Sequence, residues 1–232
     1  MSTGLPMTRL KNPPTSSSAD AAPGSAAARA YAHVKQRLLD GRFAGGALLS
    51  ENELAQQLGL SRTPVRQAFI ALEAEGLLEL YPKRGALVVP VSAAEIEDVF
   101  EARLLVEEHC VRRAAQHGGP DLIVALRASI AAQEEAQAAA DRPGFARADR
   151  EFHHAIVAAA RNAILLRLSG ALRDRQQRIA AVSLAGGPDF AERFIAEHRG
   201  IVAALERRDG EEAVRLAAAH LHGARQSARG GR

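Results

Sequence analysis

Residues 50–88, SENELAQQLGLSRTPVRQAFIALEAEGLLELYPKRGALV, predict two short helices, a tight turn between them and a basic hairpin. Ser50 and Glu53 form an S-x-x-E capping box, so the first helix should start at Glu51 and end at Gly59, a residue suited to a left-handed helix terminus. Ser61 is placed to cap a second helix, with Pro64 in its opening turn, where a missing N–H costs nothing. Val65, Ala68, Phe69 and Leu72 share a buried face at helical spacing, which leaves Thr63, Arg66 and Gln67 outside and Arg62 at the leading flank. A guanidinium can grip two acceptors on guanine or a phosphate, and the helix N-terminus adds its own attraction for phosphate. Gly76 ends the helix, LLEL and ALVVPV read as strands, and the YPKRG turn puts Lys83 and Arg84 at a hairpin tip. The pattern is a helix-turn-helix followed by a wing. Its expected DNA contacts are Arg62, Thr63, Arg66, Lys83 and Arg84.

The surrounding chain fits a mainly helical protein: 47% hydrophobic and only 4% aromatic, with β-branched runs confined to the wing. Residues 92–232 balance twenty basic against twenty acidic side chains, so the net charge of +3 lies in residues 1–91. An excess of that size is a weak pointer to nucleic acid, and the expectation of DNA rests on where the arginines stand. A lone cysteine, Cys110, excludes an internal disulfide and fits a reducing compartment. No stretch is long and apolar enough to span a membrane and no signal peptide is visible, so the expected location is cytoplasmic.

Residues 1–25, rich in Pro, Ser, Ala and Gly, read as a disordered arm, in which Arg9 and Lys11 either touch phosphates or are simply solvated. Residues 26–40 predict a supporting helix with Tyr31, Val34, Leu38 and Leu39 on one side, and residues 26–91 make the DNA-binding domain. Ser92, with Glu95 three residues on, caps the start of a second domain, residues 92–228. Six helices are expected there, near 93–117, 120–140, 145–160, 163–184, 188–208 and 210–228, punctuated by HGGP, DRPG, Asn162, AGGPD and RDG. The fold class is therefore a winged helix-turn-helix followed by an all-α bundle.

Several polar residues stand where apolar ones belong. Arg103 and Glu107 interrupt the stripe of Ile96, Val99, Phe100, Cys110 and Val111, one turn apart. Asp149 and His153, also one turn apart, fall in line with Phe145, Ile156 and Ala160. His198 lies among Ala191, Phe194, Ile201, Val202 and Leu205, and His220 among Ala213, Leu216, Ala217 and Ala224. His109, His154 and His222 project outward on the same wheels. Three inward histidines and an aspartate from three helices have the ligand types of a divalent metal site, Zn or Ni first. Left unpaired, each such group would cost several kcal/mol to bury; a buried hydrogen-bond network is the competing explanation. Gln176 falls on an inward stripe with Leu165, Leu168, Leu172 and Ile179, and Asn162 should cap the helix that follows it.

SRTPVRQAFIALEAEGLL followed by PKRGALVV resembles the winged helix-turn-helix of GntR-type bacterial transcription regulators, with Gln67 where that family usually has Glu and Asn52 where many members carry Arg, and the resemblance adds Asn52 and Gly85 of the wing's R-G to the expected DNA contacts. DREFHHAIVAAARN and EHRGIVAALERRDGEEAVRLAAAHL are similar to the FCD ligand-sensing domain of its FadR-type branch, in a VanR-like arrangement of six helices. The resemblance implies metal ligands at Asp149, His153, His198 and His220, and matches Arg103 and Glu107 to the run EARLLVE. With Arg103 near a metal, a small carboxylate is the expected effector, Glu107 and Gln176 being further ligand-binding candidates. The reading is a homodimeric regulator that binds a palindromic operator and answers to a metabolite. A sensor of the ion itself and an all-α metalloenzyme are the rivals, the latter opposed by four protein ligands and the lack of a placed general base.

Overall fold

The computed structural model describes residues 24–183 and 188–230; Arg9, Lys11 and the rest of the expected arm through residue 23 lie outside it. Among the described residues the chain forms ten α-helices and three strands. The N-terminal part comprises α1 (Ala26–Leu39), β1 (Leu48–Leu49), α2 (Glu51–Leu58), α3 (Arg62–Ala74), β2 (Leu78–Tyr81) and β3 (Gly85–Val88). Ser25 caps α1 by accepting from the Ala28 amide, and Gly59 closes α2 in the left-handed conformation, φ 62°. Val65, Ala68, Phe69 and Leu72 of α3 pack with Val34 and Leu38 of α1, Leu54 of α2, and Leu78, Ala86 and Val88 of the sheet. The sheet is antiparallel in the order β1-β3-β2, with Leu48 opposite Leu87 and Leu78 opposite Val88. Two residues make up β1, too few to leave an alternating pattern by which it could be recognised.

Ser92 accepts from the Glu95 amide at 3.0 Å and opens α4 (Ala93–His117), which is followed by α5 (Pro120–Ala138), α6 (Arg142–Ala159), α7 (Ala163–Ala171), α8 (Arg173–Ser183), α9 (Pro188–Glu206) and α10 (Gly210–Gly230). A second buried cluster runs through them, from Ile96 to Ala228. Two expectations are corrected. DRPG does separate α5 from α6, but it also opens α6 at Arg142, ahead of the expected residue 145: Asp141 accepts from the Gly144 amide at 3.0 Å and Pro143 stands in the first turn, where proline is tolerated. The helix expected over 163–184 is two, because past the Ser169-Gly170 pair the Leu172 amide bonds Ser169 rather than a carbonyl one full turn back. Among the described residues the bundle therefore has seven helical segments, and Leu168, expected to face inward, is exposed. Asn162 does cap α7, accepting from the amides of Ile164 and Leu165.

The two parts meet along α1 and α8. Lys35 pairs with Glu75 and Asp174, each at 2.8 Å, and Tyr31 donates its hydroxyl to Glu75. Burial opposes a charge on Lys35, but Asp174, Glu75 and Tyr31 outweigh it and hold the ammonium above its ordinary pKa. No described helix is long and apolar enough to cross a membrane.

Candidate nucleic-acid interface and metal centre

On α3 the core claims Val65, Ala68, Phe69 and Leu72, so Arg62, Thr63, Arg66 and Gln67 are left exposed on the opposite side, with Asn52 exposed on α2. Arg62 rests 3.4 Å from Glu51, an exposed ion pair that is cheap to exchange for another anion. Ser61 occupies the N-cap position, but its side chain makes no capping bond, contrary to the sequence expectation. At the wing tip Lys83 takes a left-handed φ of 64° and the Arg84 amide donates to Tyr81 O, which turns both cations outward. Gly85 has φ 116°, and a Cβ there would lie 2.2 Å from Leu49 O, so only glycine lets β3 sit against β1. The role the geometry gives Gly85 is to shape the wing.

The bundle gathers its polar residues in one place. Asp149 and His153 come from α6, His198 from α9 and His220 from α10, and one ligand atom of each lies within 4.8 Å of all the others. Each histidine is held from behind. His153 Nδ1 donates to Glu107 Oε2 at 2.6 Å, His220 Nδ1 to Glu197 Oε2 at 2.7 Å, and His198 Nδ1 to Gln133 Oε1 at 2.9 Å. Carboxylates only accept, so His153 and His220 carry their proton on Nδ1, and the Gln133 carbonyl asks the same of His198. Three Nε2 lone pairs then converge. His198 Nε2 and His220 Nε2 face each other at 3.2 Å, while His153 Nε2 and Asp149 Oδ1 are buried with no hydrogen-bond partner. Donors held at about 2.1 Å from one ion stand roughly 3.0 Å apart at right angles and roughly 3.4 Å apart at tetrahedral angles. The Asp149 oxygen lies 3.7 Å from His198 Nε2 and 3.9 Å from His153 Nε2, close to that range. The donor set and its orphaned atoms fit a divalent cation, with the outer partners fixing tautomer and ring angle.

Burial, followed by the nearby His220, His153 and Arg103, holds the His198 imidazole well below its ordinary pKa. Burial also lowers His220, against the pull of Glu197. Both rings are neutral near pH 7, the form a metal needs. For Glu107, burial would raise the pKa, but Arg103 and His153 more than reverse it and keep the carboxylate ionised. Phe152 lies flat on His198, ring centroids 4.0 Å apart, and closes that side of the cluster.

Beside the cluster a cavity is lined by Arg103, Phe145, Asp149, Arg150, His153, Gln176, Gln177 and His220. Arg103 spends its Nε on Glu107 at 2.8 Å and lies over the Phe100 ring. Glu107 does not line the cavity: one of its oxygens is bonded to Arg103 and the other to His153, which holds those two side chains in place. Sequence reasoning missed Gln133, Glu197, Phe152, Arg150 and Gln177. Gln133 was legible in principle, standing one turn from Ser129 and Ile130 on the stripe of Leu122 and Leu126. Glu197 stands beside His198 in the run EHRG, where it reads as a spacer.

Two family models match the chain: the gntR family of bacterial regulatory proteins over residues 26–88 and the FCD domain over residues 98–223. The "Probable D-xylose utilization operon transcriptional repressor" of Paenarthrobacter nicotinovorans is 36% identical over 190 residues, covering 81% of this chain and 82% of that protein. The transcriptional repressor RspR of Escherichia coli K12 is 27% identical over 199 residues, covering 86% of this chain and 87% of its own. In fold the chain is similar to E. coli McbR/YncC, with a TM-score of 0.69 at 24% identity, over 86% of this chain and 94% of that one. The chain belongs to the GntR family of bacterial transcriptional regulators, with an FCD domain behind its winged helix-turn-helix.

Proposed function

We propose that the protein is a homodimeric, metabolite-responsive regulator. Residues 26–91 bind a palindromic operator, and residues 92–228 hold a divalent metal, Zn²⁺ or Ni²⁺, over which a small carboxylate binds and changes DNA affinity. The observation that carries this reading is the cluster of Asp149, His153, His198 and His220, held from behind by Glu107, Gln133 and Glu197, beside a cavity that also presents Arg103 and Arg150. The metal would supply a positive centre for a ligand oxygen. Arg103 would pair with the carboxylate, Gln176 would add a polar contact, and Phe145 with its apolar neighbours would exclude water. A guanidinium-lined cavity favours an acid over a neutral sugar.

On the DNA side, Arg62 and Arg66 at the start of α3 would enter the major groove, with Asn52 and Thr63 beside them, while Lys83 and Arg84 of the wing meet phosphate. The dimer is supported by α7, none of whose residues is buried: Ile164 is 64% and Leu168 47% exposed, and α4 adds Leu105 at 72%. Such a face on a two-fold axis would cover itself.

The test is a thermal-shift screen of untagged protein against small carboxylic acids, with and without EDTA, alongside elemental analysis. The expected result is about one divalent ion per chain and at least one acid whose stabilisation disappears with the chelator. Stabilisation by metal alone, with no acid adding to it, would support the ion as effector. A metal-empty wild-type protein would sink the centre. Separately, Arg62→Ala or Arg66→Ala should abolish specific operator retention in a gel shift with helical circular dichroism unchanged; retention by both would sink the DNA contacts.

A further inference from the structure

Helix α8 has two neighbours of different kinds. Gln176, Gln177, Ile179 and Ala180 line the cavity beside the metal cluster. The same short helix holds the DNA-binding head: Asp174 pairs with Lys35 of α1, Arg178 donates to Val89 O just after β3, and a side chain at Gly41 would press on Ala181.

One residue belongs to both sides. Gln177, 6% exposed, accepts from Arg150 Nη1 on its Oε1 at 2.8 Å and donates from its Nε2 to Asp40 Oδ1 at 2.9 Å. A guanidinium only donates and a carboxylate only accepts, so these neighbours fix the amide's orientation. Glu in this place would serve only Arg150, and Lys only Asp40. Asp40 is the C-cap of α1 and also accepts from Gln36 Nε2 at 2.9 Å, so its carboxylate ties down the end of that helix. At the other end, Arg150 lines the cavity next to Asp149, and its Nε is buried without a hydrogen-bond partner. That leaves an N–H of a pocket arginine unused while another is committed to Gln177.

We propose that Arg150 meets an anionic group of the effector, and that the hydrogen-bond chain Arg150–Gln177–Asp40 transmits its position to the DNA-binding head. The guanidinium is a rigid plane, so turning its Nε toward an anion also moves the Nη1 that Gln177 depends on. A buried amide cannot lose a partner on one side without loss of hydrogen bonding, so Gln177 follows Arg150 or releases Asp40. Coupling of this kind is reciprocal: whatever the effector does to docking of the head, docking does to effector affinity.

The inference rests on the cavity being the effector site, but the relay can be tested in the full-length, metal-loaded protein with no effector present. Amide hydrogen exchange would be followed in peptides covering residues 36–43, whose amides bond back into the end of α1, for wild type, Arg150→Met, Gln177→Leu and the double variant. Arg150→Met keeps the packing stem and removes only the donors. Both single variants should speed exchange at 36–43 by about fivefold, the equivalent of one net hydrogen bond, and the double variant by no more than either. Exchange in α5 over residues 122–130 serves as the control and should stay at the wild-type rate. Unchanged exchange at 36–43 in Arg150→Met, additive effects in the double variant, or equal acceleration in α5 would each overturn the relay. Failure of the effector reading shows elsewhere, as an absence of acid-dependent thermal shift.

Discussion

Arginine is put to opposite uses in the two halves of the molecule. In the head, Arg62 and Arg66 point to solvent from a helix whose other face is a complete apolar core. In the bundle, Arg103 is buried, fastened to Glu107, and shares the interior with three histidines and a glutamine. The head's working residues are what remains after its core is assigned, whereas the bundle's working residues interrupt the core. A surface residue can therefore change without disturbing the fold around it, while the buried site is a network in which each partner's loss strands another.

The sharpest way to separate the halves is to deny the buried one its proposed metal. His198→Ala, or EDTA on wild type, should lower bundle stability by about 4 kcal/mol for an ion present at a thousand times its dissociation constant. Differential scanning calorimetry should show the loss in the bundle transition, and elemental analysis the missing ion. In the head the corresponding weak point is backbone, not ligand. Gly85→Ala forces a Cβ toward Leu49 O at an unfavourable φ and should cost about 3 kcal/mol, read as lost operator retention with bundle stability intact.

Acid should act most strongly on the bundle, where two histidines are fully buried, and more weakly on the head through His33, whose pKa burial also lowers. His198 and His220 have pKa values lowered by burial from an ordinary 6.5, so in metal-stripped protein the unfolded chain binds more protons. Stability is then fully present above that value and falls as pH drops below it, by at most about 1.4 kcal/mol per histidine per pH unit. Denaturant melts at pH 7.5, 6.5 and 5.5 would check this; a flat profile breaks the claim that the rings are buried neutral. Glu107→Gln leaves the four ligands in place but weakens the grip on His153 and Arg103. Metal affinity should fall about tenfold, measured by competition with a chromogenic chelator.

The smallest contrast compares two serines. Ser92→Ala removes a 3.0 Å capping bond from α4 and should cost about 1 kcal/mol, whereas Ser61→Ala removes no capping bond and should leave stability unchanged. Any deficit in Ser61→Ala would then appear only in DNA binding.

The same contrast explains what the sequence disclosed. The head was legible nearly throughout because caps, turn glycines and helical spacing are local: Gly59 and Gly76 have positive φ where turns were expected. Its two failures, β1 and the idle Ser61 cap, turn on pairing and side-chain geometry that no local pattern encodes. In the bundle, Asp149, His153, His198 and His220 were visible as polar residues on apolar stripes, and they converge. What stayed hidden was each residue's partner. Gln133 approaches His198 across 65 positions of sequence and Gln177 approaches Asp40 across 137, and nothing in a single helix reports such pairs.

The Tyr31 hydroxyl on Glu75, which ties α1 to the end of α3 inside the head, also makes the molecule its own optical probe. The chain has no tryptophan and two tyrosines, so its ultraviolet emission comes from Tyr31 and from Tyr81, which donates to Glu79 on the wing. A phenol donating to a carboxylate emits weakly. In a Tyr81→Phe protein the remaining signal would come from Tyr31 alone, and it should brighten whenever Glu75 lets go of the hydroxyl, giving a label-free record of how firmly α1 is held against the end of α3 on the timescale of mixing.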